Sequence, residues 1–156
     1  MMTLEELYQA GRKTVVGSLA FTAEDIIRFA RDFDPQPFHL DEEKARHSLL
    51  GGLCASGWHT SAGWMKCFVR FWTDEVRRLA ADGLHAPKLG PATGFRELKW
   101  LKPVYAGDTV TYAVTLLEAR ALASRPGWRI NTILCEGENQ RGEPVIRFQS
   151  RVIEFT

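Results

Sequence analysis

Basic clusters, paired cysteines and long apolar runs are all missing from this chain, and each absence removes a class of function. The 156 residues carry 20 Lys and Arg against 19 Asp and Glu, a formal net charge of +1. The cations are spread along the chain without a basic block, so nucleic acid is not an expected partner. The three cysteines, Cys54, Cys67 and Cys135, are odd in number, far apart and set among apolar neighbours. They read as buried thiols of a reducing compartment. No continuous apolar run approaches the ~18 residues of a membrane span, and the start Met1 to Leu7 is acidic where a secretory signal would be basic. A cytoplasmic protein with no membrane partner is the expectation. The four histidines and the cysteines show no His-Glu-x-x-His or Cys-x-x-Cys spacing, so no metal site is expected. Ser56 is not within Gly-x-Ser-x-Gly, and Gly51-Gly52 has no following Gly-Lys-Ser/Thr. Neither serine hydrolase nor phosphate-loop chemistry is supported.

What is present suffices for one globular domain, residues 1–156, with 45% apolar residues to fill a core. Thr14 to Phe21 is short, β-branched and apolar, and ends at Thr22-Ala23-Glu24-Asp25, a capping-box-like helix start. Ile26, Ile27, Phe29, Ala30 and Phe33 then recur at helical spacing until Pro35. Asp41 caps a short solvated helix to His47. From Trp58 to about Ala81, residues such as Trp58, Ala62, Met65, Phe68, Val69, Trp72, Val76 and Leu79 fall at three- and four-residue intervals, predicting a long helix with a broad apolar stripe. A loop over 82–91 follows, then extended segments at 95–101, 109–118, 128–138 and 145–155. In the last, Ile146, Phe148, Ser150 and Val152 alternate with Arg147, Gln149 and Arg151. Gly107-Asp108 and Gln140-Arg141-Gly142-Glu143 supply turns. A strand, a long apolar helix and a run of antiparallel strands imply an α+β domain with the sheet wrapped around that helix, the hotdog layout. One sheet on one helix leaves an edge strand and part of 58–71 uncovered, so a homodimer is expected.

The chemistry concentrates in Asp34-Pro35-Gln36-Pro37-Phe38-His39. Each proline fixes its own φ near −65° and keeps the preceding residue out of the helical region, so this connector has few shapes available. A carboxylate and an imidazole on such a stiff segment can converge on one water molecule. The same residues are also ordinary turn material.

This segment resembles the signature Asp-x-Asn-Pro-x-His of the MaoC-like dehydratases, the family that includes R-specific enoyl-CoA hydratases, with Asp34, Pro37 and His39 at preserved spacing. Ala55-Ser56-Gly57-Trp58 lies where that family has a His-Gly step opening its central helix. Trp100 to Asp108 resembles its strand, Pro-Val and Gly-Asp turn. The resemblance covers residues 18–155 and implies a hydro-lyase of fatty acid metabolism that adds water to a trans-2-enoyl thioester or removes it from the 3-hydroxyacyl thioester. The substrate is an acyl-CoA or related acyl thioester, with no cofactor beyond the coenzyme A that belongs to the substrate. It further implies that Asp34 and His39 activate the water and that the Gly57 N–H, at a helix N-terminus, meets the enolate oxygen. Phe33, Gln36, Ser56, Trp58 and His59 are the expected substrate-binding residues, although His59 is read more readily as a packing histidine. Gln36 stands where the family has Asn, Phe33 where it has Gly and Ser56 where it has His. Arg96, Lys99 and Lys102 either meet coenzyme A phosphates or are solvated strand charges. Two alternatives remain: an acyl-CoA thioesterase on the same fold, and a non-catalytic acyl-thioester-binding partner subunit of a dehydratase.

Overall fold

Helix α5, Gly57–Ala81, lies against one face of a five-stranded antiparallel sheet in the computed structural model, which describes residues 1–155. Thr156, the last residue of the expected domain, lies outside the described residues. The remaining elements are α1 (Leu4–Leu7), β1 (Lys13–Ala20), α2 (Ala23–Phe33), α3 (Pro37–Leu40), α4 (Glu42–Arg46), β2 (Lys88–Trp100), β3 (Thr109–Ala121), β4 (Trp128–Glu138) and β5 (Pro144–Phe155). Strand order is β1-β3-β4-β5-β2, which leaves β1 and β2 as edges. This is the α+β hotdog arrangement, with the helix in the concavity of the sheet.

Helix and sheet are joined by close approach and by polar pins. A Cβ on Gly63 would come within 2.5 Å of the Tyr112 hydroxyl, so only glycine lets α5 sit this near β3. The Tyr112 hydroxyl donates to the Thr60 carbonyl at 2.8 Å, and the Trp64 indole N–H donates to the Ala113 carbonyl at 3.0 Å. Both bonds lie in the buried core, where an unpaired polar group would be costly. Around them Phe21, Ile26, Trp64, Val110, Tyr112, Cys135 and Ile146 are all but sealed from solvent. Each large side chain so buried contributes roughly 1.5–3 kcal/mol. The three cysteines are buried and unpaired.

Three local features depart from the sequence reading. A one-turn helix, α1, forms near the N-terminus, because Thr3 and Glu6 cap each other reciprocally at 2.7 and 3.3 Å. Strand β2 begins at Lys88 rather than near Phe95, running through Gly90-Pro91, which looked like a loop. It survives because β2 is an edge: the pairing with β5 passes from Leu89–Glu154 to Ala92–Val152, and the bulge absorbs Pro91, which has no N–H to donate. Finally, Phe33 and Trp58, which helical spacing sets on apolar faces, do not enter the core. Phe33, Trp58, Phe95 and Trp100 are all exposed. No helix among the described residues is long and apolar enough to cross a membrane.

Candidate active site

Pro35 and Pro37 shape the turn that follows α2. Asp34 ends the helix at φ −155°, ψ 69°, its N–H still donating to the Ala30 carbonyl at 2.9 Å. The Gln36 N–H donates back to the Asp34 carbonyl at 2.7 Å, closing a three-residue turn centred on Pro35. Pro37 then opens α3, where its missing N–H costs nothing. His39 is the third residue of that single turn and is 6% exposed.

The folded turn places His39 Nε2 3.3 Å from Asp34 Oδ2. On the other side of the ring, Nδ1 meets the Cys54 carbonyl oxygen at 2.6 Å. A carbonyl can only accept, so Nδ1 carries the proton and Nε2 of the neutral ring presents its lone pair to the carboxylate. Asp34 is held from two further directions: the Gln36 amide donates to its Oδ1 at 2.7 Å, and the Ser56 hydroxyl hydrogen-bonds to it. Burial alone would raise the Asp34 pKa, but Ser56, Gln36 and the imidazole outweigh it and hold the carboxyl below the ordinary value of 3.8. Asp34 is therefore a carboxylate at neutral pH. Gln36, with its longer amide, does reach the carboxylate.

Ser56 is also the N-cap of α5, its oxygen accepting from the Trp58 N–H at 3.3 Å. Gly57 is the first helical residue, and among the described residues no acceptor reaches its N–H. It lies at the positive end of the 25-residue helix. The small size of Gly57 is demanded by Trp100: a Cβ there would overlap the indole, meeting its Cε3 at 2.8 Å. The indole N–H donates to Ser61 Oγ at 3.2 Å, which keeps the ring over the helix start. His39, Cys54, Gly57, Thr60, Trp100 and Val104 border one cleft of about 200 Å³.

Asp34, Gln36, His39 and Ser56 are thus brought together beside Gly57. Phe33, Trp58 and His59 are placed elsewhere. Trp58 is 49% exposed and stands edge-on to Trp100, with ring centroids 5.0 Å apart. Phe33, 70% exposed, packs on Phe29 at 4.9 Å. His59 stacks on the other side chain of that pair, 4.6 Å from Phe29 and nearly parallel, and also touches Phe21 at 4.8 Å. Phe33 and His59 line a second groove between α2, β1 and α5, which Lys66 also borders. Four residues of the His39 cleft, Cys54, Thr60, Trp100 and Val104, are not among the site residues expected from sequence. Cys54 contributes a backbone carbonyl, which leaves no mark in a sequence, and Trp100 reaches Gly57 only through the placement of β2. No cluster of three His, Cys, Asp or Glu able to hold a metal occurs among the described residues.

Burial pushes the His59 pKa down to about 4 from 6.5. A depressed histidine favours folding in its neutral form, so its stabilisation is complete above pH 6.5 and is lost as pH falls toward 4. The melting temperature of the wild type should rise across that window by more than that of His59→Phe, which keeps the stacked ring and removes the proton. Parallel profiles for the two proteins would refute the burial argument.

Comparison with known proteins agrees with this architecture. Residues 8–133 match the family described as MaoC like domain. A Bacillus subtilis protein, the uncharacterized protein YdeM, is 31% identical over 152 residues, covering 97% of this chain and 98% of its own. The crystal structure of a MaoC-like dehydratase from Rhodospirillum rubrum is 37% identical with a TM-score of 0.76, covering 99% of this chain and 97% of that one. The unliganded R-hydratase PhaJ1 from Pseudomonas aeruginosa shares the fold at a TM-score of 0.65 and 21% identity, over 92% of this chain and 80% of its own.

Proposed function

Because the chain belongs to the MaoC-like domain family, we propose that it is a hydro-lyase that adds water to a trans-2-enoyl thioester, or removes water from the 3-hydroxyacyl thioester. The observation that carries this reading is the facing of Asp34 Oδ2 and His39 Nε2 at 3.3 Å, two acceptors with no proton of their own between them. A water placed there donates one hydrogen to each. Its oxygen is then polarised for attack on C3 while one proton passes to the base. The same base returns a proton to C2, and in the dehydration direction the steps reverse.

The charge that develops on the thioester oxygen needs a donor, and the unpartnered Gly57 N–H at the start of α5 supplies one beside the cleft. One well-placed donor of this kind is worth about 3 kcal/mol in the transition state. Ser56 and Gln36 act through Asp34, keeping it ionised and aimed. Trp100 and Val104 form the apolar wall of the cleft. No step calls for a bound cofactor.

The functional unit in this reading is a homodimer. Trp58, Met65, Val69 and Phe95 are each about half exposed or more, and a second copy covering them would remove an apolar surface from water. Sedimentation at micromolar concentration should give twice the monomer mass of 17.6 kDa; a monomer would reject this assembly.

The reaction is tested with an enoyl thioester and its saturated analogue. Hydration removes the conjugated double bond of the first without freeing thiol and leaves the second untouched. Thiol release from both would show a thioesterase instead. Inactivity alone, cured by mixing with a related subunit, would show a partner subunit.

A further inference from the structure

Position 57 leaves room for one particular group. Apart from its chain neighbours, the three atoms nearest to where a Cβ would stand all belong to the Trp100 indole, with Cε3 at 2.8 Å. A Cβ is only two bonds from the amide nitrogen of its own residue. A ring that fills the first position therefore stands within van der Waals reach of anything hydrogen-bonded at the second. The Gly57 N–H has no acceptor among the described residues, and Gly57 and Trp100 border the same cleft as His39. An acyl oxygen received by that N–H brings its carbonyl carbon, and the carbon next to it, against the indole.

The ring is held in place from several directions. Its Nε1–H donates to Ser61 Oγ at 3.2 Å, and that hydroxyl donates in turn to the Gly57 carbonyl at 3.0 Å. Trp58 stands edge-on to it with centroids 5.0 Å apart, and Phe95 stands edge-on to Trp58 at 6.5 Å. On the backbone side, Trp100 is paired with Ile146 of β5, a residue sealed in the core. Among the other residues of the cleft, Cys54, Val104 and Val145 are each no more than 2% exposed. Close-packed side chains of this kind do not give way to a ligand. Trp100 itself is 46% exposed, so it can yield only outward, at the loss of the Ser61 bond and the Trp58 contact. The cleft measures about 200 Å³, under the ~300 Å³ at which pockets for drug-sized ligands begin.

We propose that Trp100 is the specificity-determining residue of this cleft, admitting acyl groups with an unsubstituted C2 and rejecting those that carry a methyl branch there. In the hydro-lyase reading, on which this inference rests, C2 joins the carbonyl held at Gly57 to the C3 that water attacks from Asp34 and His39. A methyl group on C2 competes with the indole for the same space. Unbranched trans-2-enoyl thioesters are then the substrate class, and their 2-methyl homologues are excluded whatever handle carries them.

The test is the ratio of kcat/KM for the but-2-enoyl thioester of N-acetylcysteamine to that for its 2-methyl homologue. The two esters differ in intrinsic reactivity, but that difference is common to every variant and cancels when ratios are compared. Trp100→Ala should lower the ratio roughly tenfold or more, the low end for one misfitting methyl group in a packed pocket. If Trp100→Ala does not fold, Trp100→Phe, which shortens the ring and drops its bond to Ser61, should lower the ratio severalfold. An unchanged ratio, including an equal loss of rate on both esters, means a structural role and overturns the proposal. If the wild type hydrates neither ester, the hydro-lyase reading fails and binding decides the role of Trp100. The ligands are then N-(2-acetamidoethyl)butanamide and its 2-methyl homologue, in which N–H replaces sulfur so that no reaction intervenes. Calorimetry should show the affinity ratio of unbranched to branched amide falling roughly tenfold or more in Trp100→Ala. No change in that ratio, or no binding of the unbranched amide by the wild type, overturns the proposal.

Discussion

Asp34→Asn should lose at least ~10²-fold in kcat on an enoyl thioester, the low end for removal of a general base, while remaining folded. That factor is about 2.7 kcal/mol of transition-state stabilisation. The side chain keeps its shape, and its carbonyl oxygen can still accept from the Gln36 amide that now bonds Oδ1 at 2.7 Å. The new amide N–H, however, faces His39 Nε2 across the 3.3 Å gap. It would donate to the lone pair that water must use, so the variant both loses a base and blocks its neighbour. Thermal stability should therefore be unchanged or slightly higher while turnover collapses. The contrast separates a catalytic from a structural Asp34. His39→Ala should show a comparable loss in turnover, and near-normal turnover in Asp34→Asn would remove Asp34 from the mechanism.

Gly57→Ala should destabilise the protein by roughly 1–3 kcal/mol, the cost of overpacking a filled site, and lower activity with it. The added methyl points into the Trp100 indole, not into open cleft. The cause is isolated by a double-mutant cycle in urea. In a Trp100→Ala background the same glycine substitution should cost only a few tenths of a kcal/mol, because the two sites are in direct contact and couple. If Gly57→Ala costs the same in both backgrounds, glycine is required by the backbone and the Trp100 account is wrong. The N–H survives in Gly57→Ala, so any activity recovered when Trp100 is trimmed belongs to the position of the helix start.

The distinction between these residues explains what could be read early. The turn at Asp34 to His39 was legible because its geometry is local. Two prolines restrict φ within six residues, and whatever fold surrounds them the two polar heads can meet. The helix over 57–81 and the strands over 128–138 and 145–155 were legible for the same kind of reason, since periodicity alone marks which face is buried. Strand β2 was half-read because Gly90 and Pro91 are turn formers, and only an edge position with a bulge lets a strand carry them. His59 shows the limit on a helix. Its spacing places it next to the cleft residues, but a rotation of 100° per residue turns it from Gly57 toward Phe29 and the second groove.

Sequence by itself determined most of the element types and the packed central helix, and it limited the shapes open to the Asp34 to His39 turn, because each follows from backbone restriction or burial period within a short stretch. Tertiary structure alone decided that the Cys54 carbonyl would set the His39 tautomer and that Trp100 would close over Gly57. Those contacts join residues 15 and 43 positions apart. They depend on strand register and bulges, which are settled only when the whole sheet is assembled and every backbone donor has found its partner.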